Sequence, residues 1–301
     1  MHGTKNRCPR RVEIPLAAIF DDRPCELGEG AFWHPERRQL FWFDILNRKL
    51  MTRTASGPSE WITPDLTSAA GWITRDVLFL ASESGFSTFD VTTGQREKIA
   101  PLEADSPATR SNDGRADPWG GFWIGTMGKR AEPGAGAIYR YYRGEVRQLF
   151  APIRIPNSIS FTPDRRFAHF SDTPTGIVRR VALDETHGWP MGDPETWLDF
   201  TAEGREPDGA VCDAEGNLWI AQWGSGRVAC HAPDGRFLRA VPVGGRNSSC
   251  PAFGGDHLST LYVTTAREHL SPDVIAAEPL NGCTFAAPSG TVGLPAPQVV
   301  L

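Results

Sequence analysis

A carboxylate stands at the start of a predicted β-hairpin in the stretch REPDGAVCDAEGNLWIA (205–221). Asp208 comes just before the apolar strand AVC, although Asp is a poor strand former. Oxygen-bearing side chains stand at the same distance, five residues before the turn, in three other hairpins, at Glu29, Asn112 and Asn157. Carboxylate and amide oxygens are suitable ligands for a hard or borderline divalent ion such as Ca, Mg, Mn or Fe(II). If the fold brings these side chains together, one shared cation would satisfy all of them.

The elements that must position these residues are hairpins that repeat along the chain. Each joins a short apolar strand to an aromatic-rich strand through a turn containing Pro, Asp or Gly. The six hairpins are AFWHPERRQLFWFD (31–44), GWITRDVLFLAS (71–82), RADPWGGFWIGT (115–126), ISFTPDRRFAHFSD (159–172), AVCDAEGNLWIAQ (210–222) and AFGGDHLSTLYVTT (252–265). Their turns are spaced by about 40, 43, 45, 51 and 41 residues, which is the period of a four-stranded propeller blade. We therefore predict an all-β fold, a six-bladed β-propeller around a central channel, with residues 1–301 forming a single domain.

Further strands are predicted around these hairpins. A third strand follows five of them, at KLMTRT (49–54), GFSTFD (85–90), GAIYRY (136–141), IVRRVAL (177–183) and RVACHA (227–232). The N-terminal segment VEIPLAAIF (12–20) is predicted to pair with the last blade and close the ring, which would remove exposed sheet edges. Trp42, Trp123 and Trp219 occupy equivalent second-strand positions, and packing between blades explains them better than sugar stacking.

The repeat places the polar residues on a circle. The position five residues before each turn is Glu29, Ala69, Asn112, Asn157, Asp208 and Ser249 in successive blades. The innermost strand of every propeller blade lines the central channel, so these positions should surround the axis near one mouth. Burying such groups without partners costs several kcal/mol. A shared cation would offset this cost and would explain why polar residues occupy these positions. The alternative is a water-filled channel in which these side chains bond to solvent and backbone.

Composition excludes several classes of function. The net charge is −5 and no long basic run is present, so a nucleic-acid or membrane partner is not expected. No apolar segment is long enough to span a bilayer, and the N-terminus lacks the apolar core of a signal peptide, so a cytoplasmic location is expected. The six cysteines, Cys8, Cys25, Cys212, Cys230, Cys250 and Cys283, form no CxxC pair and are predicted to be free buried thiols. The sequence leaves the oligomeric state open.

Five segments resemble the signatures of the regucalcin (senescence marker protein) and gluconolactonase family of sugar lactone hydrolases. They are LGEGAFWHP (27–35), RSNDGRADPWGGFWIGTM (110–127), IPNSISFTPD (155–164), PDGAVCDAEGNLWIA (207–221) and CPAFGGDHLSTLYVTTARE (250–268). The resemblance implies a six-bladed propeller that hydrolyses a small sugar lactone to the aldonic acid, with one divalent metal ion (Ca, Mg, Mn, Fe(II) or Zn) in the channel. It further implies that Glu29, Asn157 and Asp208 bind the metal, that Asp208 is the catalytic acid and base, and that Arg110 and Asn112 bind the sugar hydroxyls.

The chain departs from the family pattern in two places. Lys129 and Arg130 follow GTM, where animal relatives carry an acidic residue, and Ser158 replaces the glycine of the usual PNG. The first change alters the rim of the expected pocket, and the second is smaller. Asp113 follows Asn112 directly, and strand alternation would turn it away from the direction of Asn112, although it could still cap the turn or reach a substrate.

Two other classes of function stay open at this point. A related propeller hydrolase could act on phosphotriesters or aryl esters, which would require an apolar pocket for the leaving group. The other alternative is a non-catalytic, metal-binding propeller scaffold. A propeller used only as an interaction scaffold predicts an apolar or functionless channel mouth, which the polar ring contradicts. Arg110, with its planar fork of donors, and Asn112 favour a polyhydroxylated substrate.

Overall fold

The computed structural model describes residues 16–301, which form six antiparallel sheets of four strands each. β1 (Ala18–Asp21) comes first in the chain. Blade 1 holds β2 (Gly28–His34), β3 (Gln39–Asp44), β4 (Lys49–Thr54) and β5 (Gly57–Ile62), and blade 2 holds β6 (Thr67–Trp72), β7 (Val77–Ser82), β8 (Gly85–Asp90) and β9 (Arg96–Pro101). Blade 3 holds β10 (Thr109–Ala116), β11 (Phe122–Gly128), β12 (Gly136–Tyr142) and β13 (Glu145–Ile153), and blade 4 holds β14 (Pro156–Phe161), β15 (Phe167–Asp172), β16 (Ile177–Leu183) and β17 (Pro190–Asp199). Blade 5 holds β18 (Glu206–Cys212), β19 (Leu218–Trp223), β20 (Arg227–His231) and β21 (Phe237–Pro242). Blade 6 holds β22 (Asn247–Gly254), β23 (Thr260–Ala266) and β24 (Thr284–Pro288), and β1 is its outer strand.

The predicted architecture is confirmed, since six blades of four strands carry almost all regular structure. All six predicted hairpins form, and the five predicted third strands coincide with β4, β8, β12, β16 and β20 to within one residue. Helical structure within residues 16–301 is limited to α1 (Pro272–Ala277) and two 3₁₀ turns, Thr173–Thr175 and Thr201–Glu203. None of the helices in this range has the length and apolar composition that a membrane span requires.

Ring closure joins the first described strand to the last strand of the chain. β1 pairs antiparallel with β24, with Ala18 opposite Ala286 and Ile19 opposite Phe285. The predicted closing role of segment 12–20 is therefore confirmed for its last three residues, whereas residues 12–15 lie outside the described part of the chain. Because the first strand completes the last blade, no gap remains between the ends of the ring.

Strand alternation builds the core between blades. On β3, Phe41 and Phe43 point toward blade 2, where they pack with Leu78 and Leu80. Trp42 lies between them in sequence and points the other way, into a cluster with residues of blade 6. Trp42 and its two equivalents, Trp123 and Trp219, are fully buried, which confirms their packing role. Burial of each large apolar side chain contributes roughly 1.5–3 kcal/mol, so the inner strands have a rigid support.

The C-terminal tail, residues 289–301, was not anticipated from the sequence. It leaves blade 6 and runs past blade 5, where the amide of Ala214 donates to the carbonyl oxygen of Val292. It then reaches the opposite side of the ring, where the amide of Val299 donates to the carbonyl oxygen of Trp72 in blade 2. The tail therefore crosses the propeller at the face that carries the turns between the first and second strands.

Candidate active site in the channel

The pairing of the first and second strands is interrupted at the same point in every blade. The register breaks between Glu29 and Phe32, Thr67 and Ala69, Ser111 and Gly114, Asn157 and Ser160, Pro207 and Ala210, and Ser248 and Pro251. Such a bulge bends the strand and can re-aim a side chain. All six predicted ring positions lie at or within these breaks. The repeated phase of the polar residues thus has a structural origin, a bulge that recurs in each inner strand.

Glu29 of blade 1 and Asp208 of blade 5 are the two carboxylates of this ring, and both are buried. Within residues 16–301 neither forms an ion pair. Burial raises the pKa of Glu29 to about 8, and the negative charge of Asp113 adds to this effect. Burial also raises the pKa of Asp208 well above its usual value, and the charges of Glu29 and Asp113 add to it. A buried carboxylate whose pKa is raised by burial and by neighbouring negative charge favours a bound proton or a nearby cation.

The two amides of the ring, Asn112 and Asn157, are joined in one hydrogen-bond chain. The Asn112 amide nitrogen donates to Asn157 Oδ1 over 3.1 Å and to the carbonyl oxygen of Pro156 over 3.0 Å. The Asn157 nitrogen donates to Thr173 Oγ1, and Thr173 in turn donates to the carbonyl oxygen of Pro207, both over 2.8 Å. These bonds fix the orientation of both amides and connect blades 3, 4 and 5 beside Asp208. Asn157 Oδ1 has a second lone pair that remains for a cation.

Arg110 is buried beside this chain. Its Nη1 donates to Asn112 Oδ1 and to the carbonyl oxygen of Ser111, both over 2.9 Å. Burial lowers the pKa of Arg110. The nearby carboxylates oppose this shift, and Glu268 contributes more to the opposition than Glu29 and Asp208 do. Nε and Nη2 have no hydrogen-bond partner among the described residues, so two edges of the guanidinium remain for another ligand. The structure therefore brings the five predicted site residues into one neighbourhood.

The orientation of Asp113 differs from the one that strand alternation predicts. The bulge between Ser111 and Gly114 interrupts that alternation, and the buried Asp113 carboxylate acts electrostatically on both Glu29 and Asp208. Its Oδ2 accepts the amide of Ile159 over 2.8 Å. Burial raises the pKa of Asp113 to about 6 although Arg115 opposes the shift.

Sequence reasoning missed two other residues near the site. Thr173 lies in a 3₁₀ turn and holds the Asn157 amide, and no feature of the segment SDTPTG indicated this contact. Glu268 is half-buried at the end of the last family segment, and its amide donates to the carbonyl oxygen of Glu26 in the segment that connects β1 to β2. Its charge reaches Glu29, Arg110 and Asp208. Only its place in the sequence ARE at the end of that segment could have drawn attention to it.

The basic rim residues are both paired. Lys129 Nζ lies 2.5 Å from a carboxylate oxygen of Glu83 in blade 2. Arg130 Nε lies 2.9 Å from a carboxylate oxygen of Glu132, and its side chain is largely exposed. Lys129 therefore links two blades at this mouth, and its charge is balanced by Glu83.

The hydrogen bonds of Ser158 explain how a serine can replace the glycine of the family pattern. Its φ is 58°, in the left-handed region where glycine is preferred. The Ser158 hydroxyl donates to the backbone carbonyl oxygen of Asp208 over 2.6 Å and accepts from Ser171. A bond to the main chain of the neighbouring blade thus offsets the backbone cost of the serine.

Substitution of Ser158 can separate these two contributions. We expect Ser158→Ala to lower the free energy of unfolding by about 1 kcal/mol, because it loses the bond to Asp208 and keeps the left-handed backbone. Ser158→Gly loses the same bond but relieves a backbone cost of about 1–2 kcal/mol, so it should stay close to the parent protein. Urea denaturation of the three proteins measures the difference. Equal losses in both variants would show that the backbone at position 158 is not strained.

The oxygen donors of the ring are compatible with a divalent metal ion. Within residues 16–301, no group of three or more His, Cys, Asp or Glu side chains is placed to hold one. The candidate set of Glu29, Asn157 and Asp208 contains only two such residues, and the third oxygen comes from an amide. Two buried carboxylates without ion-pair partners and a fixed amide oxygen are a hard-oxygen set that fits a divalent cation. The cysteines do not contribute, since the five described ones are free and buried, and Cys8 lies outside the described residues.

Comparison with known proteins gives a consistent result. The sequence profile of the SMP-30/Gluconolactonase/LRE-like region matches residues 27–267. The chain is 34% identical to a 6-deoxy-6-sulfogluconolactonase of Pseudomonas putida, over 88% of this chain and 91% of the relative. It is also 34% identical to an L-arabinolactonase of Azospirillum brasilense, over 92% of this chain and 93% of the relative. Its fold is similar to the crystal structure of regucalcin from Agrobacterium tumefaciens, which is described as a calcium-binding protein, with a TM-score of 0.92, 42% identity, and coverage of 95% and 97% of the two chains.

Proposed function

The chain belongs to the SMP-30/gluconolactonase/LRE-like family, and on that premise we propose that it hydrolyses a small sugar lactone to the aldonic acid with the help of one divalent cation. One observation carries this proposal. Two buried carboxylates without ion-pair partners among residues 16–301, Glu29 and Asp208, lie beside the hydrogen-bond chain of Arg110, Asn112 and Asn157. The names of its relatives, which include lactonases of two different sugar lactones, support the same reaction class.

Glu29, Asn157 and Asp208 would hold the cation. When bound, such an ion polarises the lactone carbonyl and stabilises the negative charge that develops on its oxygen. Its charge would also relieve the repulsion between the two buried carboxylates. The calcium-binding description of the regucalcin structure supports a divalent ion here without fixing its identity.

Asp208 would transfer the proton. It accepts a proton from the attacking water and returns it to the ring oxygen as the ester bond breaks. Burial strengthens Asp208 as a base, whereas a bound cation weakens it, and these effects oppose each other. Loose contact with the cation would leave one carboxylate oxygen available for the proton. Ser158 holds the backbone of Asp208 in place for this step.

Arg110 and Asn112 would orient the sugar. Nε and Nη2 of Arg110 can donate to hydroxyl oxygens, while Nη1 holds Asn112. Because Asn112 is itself held by Asn157 and Pro156, the proposed substrate-binding groups are directly joined to one of the proposed metal ligands, Asn157. A polyhydroxylated ring suits this polar wall better than an aryl ester or a phosphotriester.

The function is tested by acid release from γ- and δ-aldonolactones in a pH-stat. The protein loaded with each candidate metal in turn is compared with the spontaneous hydrolysis of the same lactone at the same pH. We expect at least one aldonolactone to be hydrolysed well above background. If none is, the proposal is wrong.

Replacement of Arg110 should affect binding more than turnover. Arg110→Ala removes charge-assisted hydrogen bonds to the sugar, each of which contributes about 1.5–3 kcal/mol. We expect KM to rise roughly 10–100-fold and kcat to change less. Steady-state kinetics on the preferred lactone measure both, and Arg179→Ala, which removes an exposed arginine of blade 4, is the control. A fall in kcat that exceeds the rise in KM would instead place Arg110 in the chemical step.

A further inference from the structure

A second space lies further along the channel, beyond the polar ring. It is a cavity of about 940 Å³, which we call the lower chamber. Among its lining residues are Trp33, Trp72, Arg115, Trp119, Val211 and Phe253. In each inner strand the chamber residues come after the ring residue, as Val211 comes after Asp208 and Phe253 after Ser249. The volume is that of sites for drug-sized ligands.

The C-terminal tail forms the floor of this chamber. Residues 294–298 of the tail belong to its lining. Beyond them, the amides of Val299 and Val300 donate to the carbonyl oxygens of Trp72 and Gly120 over 2.8 and 2.9 Å. A Cβ at Gly71 would stand 2.7 Å from Val299, and one at Gly120 would stand 2.8 Å from Val300. Glycine at both positions therefore allows the tail to lie directly against the blades.

The walls of the chamber differ chemically from the polar ring. Three half-buried tryptophans on three blades, Trp33, Trp72 and Trp119, belong to its lining, and Val211 and Phe253 extend the apolar part. Flat apolar rings pack well against such a surface. A polyhydroxylated sugar would lose its hydrogen bonds to water there without replacement.

Arg115 is the half-buried charged residue of the chamber lining. Its Nε donates to the carbonyl oxygen of Ile159 over 3.0 Å, which fixes the guanidinium. Its two terminal nitrogens have neither a hydrogen bond nor an ion pair with any residue in the range 16–301. Asp113 contributes a nearby negative charge: the Ile159 amide donates to one of its oxygens, and the other oxygen is buried without a hydrogen-bond partner among residues 16–301. At the outer edge, the exposed Glu36 and Arg165 carry opposite charges.

We propose that the lower chamber binds a small apolar carboxylate. Its flat ring body packs among the tryptophans above the tail, and its carboxylate accepts two hydrogen bonds from the terminal nitrogens of Arg115. Paired donors in a planar fork match the geometry of a carboxylate. This site is separate from the proposed lactone site and does not depend on the function proposed for it.

Isothermal titration calorimetry with 2-naphthoate and its neutral analogue 2-naphthamide tests this proposal. We expect 2-naphthoate to bind the full-length protein at one site and the amide to bind roughly tenfold more weakly or worse. Arg115→Met should remove the preference for the acid, whereas Arg179→Met, which removes an exposed arginine elsewhere, should retain it. Asp208→Asn should bind 2-naphthoate as the parent protein does.

Two variants that fill the space complete the test. Val211→Trp fills the chamber from blade 5 and Ala296→Phe fills it from the tail, so a folding defect in one leaves the other informative. Either folded variant, verified by its melting curve, should lose at least tenfold in affinity for 2-naphthoate. No saturable binding by the parent protein, or binding that persists in both filled variants, would overturn the proposal. Equal affinity of acid and amide would refute the role of Arg115.

Discussion

Replacing Asp208 by Asn should lower kcat for lactone hydrolysis by about 10²–10⁴-fold, the usual contribution of a positioned proton-transfer group. The amide has the same shape and keeps an oxygen that can contact a cation, but it cannot accept the proton of the attacking water. KM should change much less, because Arg110 and Asn112 are untouched. The measurement is steady-state kinetics at saturating metal, so that weaker metal binding by the variant does not enter kcat.

Asp113→Asn is the matched control for this experiment. It also removes one buried negative charge from the channel, and the new side-chain oxygen can still accept the Ile159 amide that Asp113 accepts now. We expect kcat to change less than about tenfold, since no proton transfer is lost. Equal losses in both variants would attribute the effect to the summed charge of the channel. Wild-type turnover of Asp208→Asn would exclude Asp208 as the base.

The sequence predicted the inner parts of each blade better than the outer parts. In hairpins such as AVCDAEGNLWIAQ, both strands consist mainly of apolar residues because they are buried between blades, and a polar turn separates them. The outer strands lack this signal. β13 (Glu145–Ile153) and β17 (Pro190–Asp199) are mostly exposed, so their sequences are constrained by little beyond backbone pairing.

The site shows the same division between local and long-range information. Glu29, Asn112, Asn157 and Asp208 could be found because a repeated bulge gives them the same distance from each turn. The orientation of Asp113 was predicted wrongly because strict alternation holds only in a regular strand, and the sequence of β10 does not indicate its bulge. Thr173 and Glu268 contribute through contacts between different blades, which no local pattern encodes. The tail residues LPAPQVVL resemble a simple loop, and their position follows from glycines at 71 and 120 that lie far away in sequence.

Removing the metal should abolish activity and lower the melting temperature, and the loss of stability should grow with pH. A ligand that binds only the folded state stabilises it by about 2.7 kcal/mol at a free concentration one hundred times its Kd. Without the cation, burial raises the pKa of Glu29 from 4.5 to about 8. Below the unfolded pKa, Glu29 is protonated in both states and causes no loss of stability. As the pH rises from about 5 to about 8, the unfolded state has released this proton while the folded state still holds it, so the folded state becomes progressively less stable.

The experiment follows the melting temperature of chelated and metal-loaded protein across this pH range, with lactonase activity measured on the same samples. The two melting temperatures should diverge as the pH rises, because protons compete with the cation for the same carboxylates at the acidic end. Glu29→Gln is the matched variant: it cannot titrate at position 29, so the chelated form should lose part of its pH dependence, and its metal affinity should fall. Full activity after thorough chelation would refute a metal-dependent mechanism. If the chelated and metal-loaded proteins have the same melting temperature at every pH, Glu29, Asn157 and Asp208 do not bind the ion in the folded state.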